Sequence, residues 1–331
     1  MAKYRFVEVK DNDLWDTFVE ESPQGTIFSL SHYLEAMGRK YEKFFICKGN
    51  EIKAALCYIK TNDGRACELD ELVIYNGLMF KVEPTKKDIK GLLERFTITE
   101  IVIEELSQRL KRIELALAPQ FEDLRPFLWH NYHMPAPENK FEIDLRYTSY
   151  IDISSLREEK EEEKTLLFKN LDTLRQRNIR EARKNGPITE IGDEVDLFIK
   201  FYSDLLESEG GQSFQEKTTR MSALVRSLLE NDKAFMVFVR DPQGKINYIV
   251  ITCFDSKRGY YLFGSGDIYS KCRYKGTIGF WDSFKILARD YGICQIDMEG
   301  VNSPKRGWFK LSFGGELKPY FQVYKNKVIS P

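Results

Sequence analysis

The sequence has no uncharged apolar run of the about 18 residues that would mark a candidate transmembrane helix. Its first residues, MAKYRFVEVKDNDLW, contain no apolar core of signal-peptide length. On these two grounds we expect a soluble, cytoplasmic protein without integral membrane association.

Cysteine and histidine are also poorly represented. The six cysteines form no C-x-x-C pair, and most of them lie in apolar, strand-like runs where small buried thiols are common. The three histidines, His32, His130 and His133, have neither the spacing of metal ligands nor that of a catalytic triad. We therefore expect no metal site, no disulfide framework and no histidine-based catalysis.

Neither sign of charge is in excess, because 50 Lys and Arg residues face 51 Asp and Glu residues, which leaves a net charge of -1. That balance argues against a general duplex-DNA binder, although it allows a local basic groove. A length of 331 residues exceeds the usual size of a single core. We expect two domains, at residues 1–148 and 149–331.

Both halves of the chain show the same order of patterns: helix, helix, hairpin, a strand broken by glycine, helix and strand. In the first half, helical periodicity at residues 85–112 precedes the strand-like run RIELALAP. In the second half, the helical segment 275–292 precedes ICQIDMEGV. This order favours an α+β (mixed α/β) protein made of two similar domains over one doubly wound sheet.

A long charged helix is predicted from about residue 156 to Asn185, closed by Gly186. Arg177 and Arg180 share one face with Thr173 and Lys184, while Leu167, Leu171 and Leu174 would face the core. A basic helix end is favourable for the helix dipole, and a charged face is often only solvated. Five basic residues within ten positions exceed that need, so we also consider Arg177 and Arg180 as ligands of a phosphate-bearing substrate.

Two glycine-associated strand ends are further candidates for a site. Asp297 and Glu299 alternate with apolar residues in the strand 293–299, just before Gly300. They line either an exposed sheet face or a cleft. Tyr261 precedes the glycine-rich FGSGD stretch, and Asn76 occupies the comparable place in the first half.

The segment NSPKRGWFKLSFGG places Lys310 between Phe309 and Phe313. Either the lysine snorkels over these aromatic rings, or its desolvated charge serves a reaction. The preceding loop, which contains Pro304, would cover the site.

Together these stretches resemble the Fem-type peptidyltransferases (FemABX), which build peptidoglycan cross-bridges, and their relatives with tandem acetyltransferase-like (GNAT) folds. The matching segments are GTIFSLSHYLEAMG, RQRNIREARKNG and the run from Gly276 to Lys325. The resemblance implies two GNAT-like domains in tandem, a basic helix near the substrate, and Phe309 and Lys310 at the reaction centre. The long helical-hairpin insertion that some family members have is not visible, which leaves the acyl donor open.

The resemblance implies an aminoacyl- or acyltransferase that forms an amide bond on a nucleotide-linked or lipid-linked cell-wall precursor or a related amine. Its donor would be an aminoacyl-tRNA or, alternatively, an acyl-CoA, with no further cofactor. Lys310 and Asp297 are the catalytic candidates, and Asp297, Glu299 and Tyr261 remain open as proton acceptors or positioning groups. The candidates for substrate binding are Arg177, Arg180, Tyr261, Glu299, Phe309 and Asn76.

A non-catalytic module of the same fold is the alternative. It would bind nucleotide-sugar or RNA phosphates through residues 175–184. An enzyme requires Lys310 and the basic helix to open on one cleft, whereas a binding module allows Lys310 to be buried away from any groove.

Overall fold

The computed structural model describes residues 4–82, 88–136, 139–210 and 214–326. The chain divides into two compact units, one formed by residues 1–146 and 319–331 and the other by residues 147–318. Both units combine helices with mainly antiparallel strands, so the predicted α+β class is confirmed.

The first unit contains a four-stranded antiparallel sheet in the order β1-β2-β3-β4. In chain order its described elements are β1 (Tyr4–Glu8), α1 (Asn12–Glu21), α2 (Ser31–Ala36), β2 (Tyr41–Lys48), β3 (Glu51–Ile59), β4 (Gly77–Phe80), α3 (Asp88–Arg109), β5 (Ile113–Leu117) and α4 (Arg125–Trp129). The next strand, β6 (Glu142–Asp152), includes the boundary between the two units, and its residues 147–152 belong to the second. The strand β1 was not predicted. The predicted start of α3, at Thr85, lies outside the described residues.

The core of this unit lies between the sheet and α3, where Leu56, Tyr58 and Leu78 pack with Ile98 and Val102. The predicted β2–β3 hairpin is confirmed, and its turn contains Gly49 with a φ of 65°.

The run ELVIYNGLMF, residues 71–80, predicts an apolar strand broken at Asn76-Gly77. The break is confirmed, but only the part after it is a strand. Only Gly77–Phe80 is extended, because Gly77 has a φ of 97° and Asn76 pairs with Ala116 instead of continuing the ladder.

The last described strand, β12 (Glu316–Lys325), pairs with β5. In this ladder Phe321 lies opposite Leu117 and Lys325 opposite Ile113. These hydrogen bonds assign the end of the chain to the first unit, whereas the sequence-based division placed all of 149–331 in the second domain.

The second unit contains the strand order β6-β11-β10-β9-β8-β7, in which β10 and β11 are parallel and the other pairs are antiparallel. Its described elements are α5 (Ser155–Glu158), α6 (Leu166–Asn170), α7 (Thr173–Asn185), β7 (Ile188–Gly192), α8 (Val195–Ser208), α9 (Gln215–Glu230), β8 (Ala234–Arg240), β9 (Ile246–Phe254), β10 (Gly259–Gly266), α10 (Lys275–Arg289), β11 (Gln295–Asp297) and α11 (Pro304–Leu311). The short strand β7 was not predicted.

A bulge in β10 changes which helix each side chain meets. The register with β9 shifts between Tyr261 and Phe263, so the alternation of side chains is interrupted there. As a result, Tyr261 contacts Phe280 of α10, with ring centroids 4.4 Å apart, while Phe263 stacks on Phe198 of α8 at 6.0 Å.

The single helix predicted for residues 156–185 is wrong. The segment forms α5, a 3-10 turn at Glu162–Lys164, α6 and α7, and the breaks coincide with capping side chains. Thr165 accepts a hydrogen bond from the Phe168 amide at 3.1 Å, and Asp172 accepts one from the Leu174 amide at 2.8 Å. These local bonds compete with a continuous helix.

The breaks also change which leucines are buried. Leu167 and Leu171 lie in the core as predicted, together with Phe168. Leu174 does not, because it is 48% exposed at the first turn of α7.

The Pro-containing loop predicted before Lys310 is largely the helix α11. Pro304 occupies the first turn, where its missing N–H costs nothing and its fixed φ suits a helix. A Cβ at Gly307 would lie only 2.4 Å from the Val301 carbonyl oxygen, so glycine allows α11 to approach the preceding backbone.

Across the described parts of both units, no helix has the length and apolar composition required to span a membrane.

We expect Asp172→Ala to destabilise the first turn of α7 by about 1 kcal/mol, because the cap of the Leu174 amide is lost. Asp172→Asn is the matched control, since asparagine caps about as well as aspartate. Hydrogen–deuterium exchange of the first α7 amides should accelerate in the alanine variant and change little in the asparagine variant. Equal protection in both would contradict the capping role.

Candidate active site

The candidate site lies in the second unit, at the point where β10 and β11 separate. These parallel strands pair only through Gly259 with Ile296 and Tyr260 with Asp297. Beyond Asp297, the amide of Met298 donates to the Ser149 carbonyl at 2.9 Å. The carbonyls that follow β11 no longer meet β10, and a buried backbone carbonyl requires a partner.

Lys310 of α11 supplies that partner. Its ammonium donates to the carbonyl oxygens of Met298 at 2.6 Å and Gly300 at 3.1 Å, and also to that of Glu299 between them. An ammonium has three donors, so the three carbonyls occupy all of them. The Lys310 nitrogen also lies 4.9 Å from the centre of the Tyr261 ring.

The aromatic neighbours expected for Lys310 serve a different cation. Phe309 lies in the last turn of α11 and Phe313 just beyond its end, and the guanidinium of Arg175 lies 4.5 Å and 5.2 Å from their ring centres. Arg175 also donates to the Ser312 hydroxyl at 2.9 Å and to the Thr277 hydroxyl. The idea that Lys310 snorkels over its sequence neighbours is therefore wrong, because the helical geometry of α11 directs it elsewhere.

Asp297 and Glu299 are both buried, with 0% and 8% of their surfaces exposed. The alternative of an exposed polar sheet face is thus wrong. The Asp297 carboxylate accepts hydrogen bonds from the Thr148 hydroxyl and, at 2.8 Å, from the Glu299 amide. It therefore fixes the backbone at the position where the strand ends.

Glu299 has an unusual conformation and environment. Its φ is 46°, in the left-handed region that non-glycine residues rarely adopt. Its Oε1 is buried and has no hydrogen-bond partner among the described residues. An unpaired buried carboxyl oxygen is costly, so the feature calls for a chemical explanation.

The electrostatics of the pair follow from burial. Burial raises the pKa of Glu299 well above its ordinary value, and the Asp297 carboxylate raises it further, while Lys310 opposes both effects. Burial lowers the pKa of Lys310 to about 8, against the attraction of Glu299 and Asp297. With a pKa of about 8, Lys310 is mainly cationic near pH 7, whereas burial and the Asp297 carboxylate favour the neutral form of Glu299.

Tyr261 lies beside this pair, and its position depends on a neighbouring tyrosine and a glycine. The hydroxyls of Tyr261 and Tyr248 are hydrogen-bonded, and burial raises the pKa of Tyr248 to about 12. A Cβ at Gly264 would lie 2.5 Å from the Tyr261 hydroxyl and 3.0 Å from that of Tyr248. The glycine-rich strand end thus makes room for two hydroxyls.

The basic residues of α7 do not form one free cluster. Arg180 pairs with Glu163 at 2.8 Å, and Arg183 binds both Glu162, at 2.9 Å, and Asp282. Burial tends to raise the pKa of Glu162, but hydrogen bonds from Arg183 and Trp281 hold it at about 2. Arg177 is exposed, and no ion pair is found for it within the described residues.

Asn76 belongs to the first unit, where it joins β4 to β5. Its side-chain Oδ1 accepts a hydrogen bond from the backbone amide of Ala116 at 2.9 Å, and its backbone amide donates one to the Ala116 carbonyl at 2.7 Å. The Asn76 side chain is buried, and its Nδ2 has no partner in the described part of the chain.

Three residues at the site were not identified from the sequence as parts of it: Thr148, Arg175 and Tyr248. Thr148 and Asp297 are 149 positions apart, so no local pattern connects them. Arg175 was counted only as one of several basic residues, although its place three residues after the capping residue Asp172 directs it inward. Tyr248 lies in an apolar strand and gave no signal.

Outside this cluster, the same unit contains a cavity of about 610 Å³ next to the start of α10. Its lining includes Lys245, Lys271, Arg273 and Asn247, but neither Lys310 nor Glu299. Among the described residues there is no group of three or more His, Cys, Asp or Glu side chains that could hold a metal ion.

No protein-family model matches the sequence, and no curated protein sequence matches it either. Solved structures do match. The crystal structure of FemX has a TM-score of 0.62 at 14% identity, with 96% of each chain covered.

Two further structures are similar over nearly their whole length. A tandem GNAT protein from the clavulanic acid biosynthesis pathway has a TM-score of 0.53 at 11% identity, covering 99% of this chain and 100% of that one. The C-terminal domain of a protein assigned as a lysylphosphatidylglycerol synthetase from Agrobacterium fabrum has a TM-score of 0.51 at 13% identity, covering 95% and 92%. At these identities the likeness concerns the fold alone, and at that level the predicted tandem GNAT architecture and the resemblance to FemABX proteins are confirmed.

We expect Lys310→Met to lower the free energy of unfolding by about 2 kcal/mol or more, because three backbone carbonyls lose their donor. Lys305→Met is the matched control, since Lys305 is an exposed lysine of the same helix and its loss should change stability by less than about 0.5 kcal/mol. Urea unfolding of both variants measures the difference. If the two variants are equally stable, the carbonyl contacts of Lys310 contribute nothing.

Proposed function

We propose that this protein is an amide-forming acyltransferase, of the aminoacyl or acyl type, that acts on an amine acceptor. The observation that carries the proposal is the Lys310 ammonium bound to the backbone carbonyls of Met298, Glu299 and Gly300, beside the buried Glu299 side chain at the end of β11, within a tandem GNAT fold. A cation and a carboxyl with displaced pKa values at a strand end form an arrangement suited to proton and charge transfer.

Lys310 stabilises the transition state in this proposal. When an amine attacks the carbonyl carbon of an acyl donor, the carbonyl oxygen gains negative charge, and a fixed cation beside it lowers the barrier. The ammonium exchanges its longest contact, the Gly300 carbonyl at 3.1 Å, for that oxygen. Met298 and Glu299 keep the nitrogen in place meanwhile.

The other site residues position this pair. Asp297 is fully buried and holds the Glu299 amide, so we assign it a positioning role rather than contact with substrate. Phe309 packs with Arg175, which fixes α11 and therefore Lys310. Tyr261 forms the side of the site that faces the lysine.

Two donor classes remain candidates. The likeness to a domain assigned to lysylphosphatidylglycerol synthesis supports an aminoacyl group, which aminoacyl-tRNA would supply. The likeness to a tandem GNAT protein, solved without AcCoA, supports an acyl-CoA.

The acceptor we propose is a nucleotide-linked or lipid-linked cell-wall precursor or a related amine, in line with the likeness to FemX. Arg177, exposed on α7, is the candidate for its phosphates, and Arg180 would first have to leave Glu163.

A non-catalytic binding module is the second candidate. The observation that favours it is the full occupation of the Lys310 ammonium by backbone carbonyls. A purely structural lysine would show the same contacts.

The test is a panel of donors, aminoacyl-tRNAs and acyl-CoAs, offered with nucleotide-linked and lipid-linked cell-wall precursors and simple amines. Mass spectrometry detects the amide product. Product formation that requires the intact protein supports the enzyme, whereas binding of the precursors without product from any donor supports the module.

If Lys310 stabilises the oxyanion, Lys310→Met should lower kcat by roughly 100-fold or more with little change in KM. Only the protonated lysine is effective, so wild-type kcat/KM should fall as the pH rises through about 8, where Lys310 loses its proton. Lys310→Arg is the control, because arginine stays charged and its residual activity should lack this alkaline decline. A wild-type profile that stays flat to pH 10, or full turnover in Lys310→Met, would remove Lys310 from the mechanism.

A further inference from the structure

We propose that Glu299, in its neutral form, donates a proton to the leaving group of the acyl donor and then takes up the proton released by the new amide nitrogen. The inference rests on the proposed acyl transfer and assigns its proton carrier. The geometry that points to it is a carboxyl buried at the end of β11, on the residue whose backbone carbonyl Lys310 binds, with one carboxyl oxygen left without a partner among the described residues.

The first argument is the unpaired oxygen. Glu299 is only 8% exposed, and its Oε1 is buried without a hydrogen-bond partner among the described residues. Structural carboxyls in the same unit are paired: Asp282 binds Arg183, and Asp255 accepts from the Tyr260 hydroxyl at 2.6 Å. A carboxyl whose only task was structural would be expected to have such partners.

The second argument is the backbone. A φ of 46° at Glu299 is a conformation for which glycine or asparagine would be less strained. The position is held from three sides: its amide by Asp297, its carbonyl by Lys310, and the next residue by the bond from Lys310 to Gly300. Strain that the surrounding structure maintains in this way is typical of functional residues.

The third argument is the charge environment. The titratable groups that act on or respond to Glu299 are Asp297 of β11, Lys310 of α11, Cys253 of β9 and Tyr261 of β10. Burial and Asp297 raise the pKa of Glu299, and only Lys310 lowers it. Burial and Asp297 therefore favour the protonated carboxyl, which is the form that a general acid requires.

The alternative proton carriers are already engaged. Asp297 accepts from the Thr148 hydroxyl and from the Glu299 amide. The Tyr261 hydroxyl is bonded to Tyr248, and burial raises the pKa of Tyr261 well above its ordinary value. Of the three groups that the sequence left open, Glu299 is the one with a free oxygen.

The protons and electrons balance over the cycle. The amine lone pair forms the C–N bond, and the carbonyl π electrons move to the oxygen beside Lys310. When these electrons return, the bond from carbon to the leaving oxygen or sulfur breaks, and the leaving atom takes the Glu299 proton. The Glu299 carboxylate then accepts the surplus proton of the nitrogen, which restores the neutral acid.

The test compares two donors in wild type and Glu299→Gln. Glutamine has the shape and neutrality of the protonated acid but cannot transfer its proton. An aminoacyl-tRNA leaves as a poor ribose alkoxide, so Glu299→Gln should lower kcat by about 10²–10⁴-fold. With the thioester of the same amino acid, a better leaving group, the loss should be less than about 10-fold. Glu316→Gln, an exposed position in the same unit, is the matched control and should leave both rates unchanged.

An equal loss with both donors would show that Glu299 only shapes the site, and no loss would show that it has no role; either result overturns the proposal. A second measurement does not depend on activity: the infrared difference between wild type and Glu299→Gln at pH 7 should contain the band of a protonated carboxyl. A carboxylate band there overturns the proposal even in an inactive protein. If wild type transfers from neither donor, the proposed function fails, and the infrared result still decides whether Glu299 holds a proton.

Discussion

The candidate site depends on one interaction, the binding of three consecutive backbone carbonyls by the ammonium of Lys310. It compensates for a topological feature, because β10 and β11 pair over two residues and then part. The carbonyls after Asp297 would otherwise be left without the ladder partners that a longer strand supplies. Lys310 thus allows β10 and β11 to separate without leaving these carbonyls unsatisfied. The candidate site lies at the point of separation.

That solution places a cation where a full charge is costly. Asp297 and Glu299 accompany the cation, but two carboxylates and one ammonium cannot all be charged at low cost in a buried site. For this reason burial raises the pKa of Glu299 and lowers the pKa of Lys310. Asp297 is stabilised by hydrogen bonds from Thr148 and from the Glu299 amide. The neighbouring Glu299 is the carboxyl whose pKa burial and Asp297 raise.

Packing around α11 keeps this arrangement rigid. Arg175 lies against Phe309 and Phe313 while it donates to Ser312, so α7 and α11 are joined by both aromatic and polar contacts. The interruption of the helix before Thr173 makes these contacts possible, because Asp172 caps the start of α7 and thereby directs the Arg175 side chain inward. A continuous helix from residue 156 would present a different face.

The sequence by itself determined the class of the fold and the hairpins, since periodicity and turn glycines are local signals. Its resemblance to a known family pointed to Phe309 and Lys310 as candidates. It also pointed to Asp297 and Glu299 through strand alternation. Only the tertiary structure decided that Arg175 occupies the aromatic face expected for Lys310, and that Thr148 reaches Asp297. It also decided that the last strand returns to the first unit. One physical reason is that a helix is interrupted where a capping side chain binds the backbone in place of the helical hydrogen bond. The other is that contacts between residues more than 100 positions apart leave no trace in local sequence patterns.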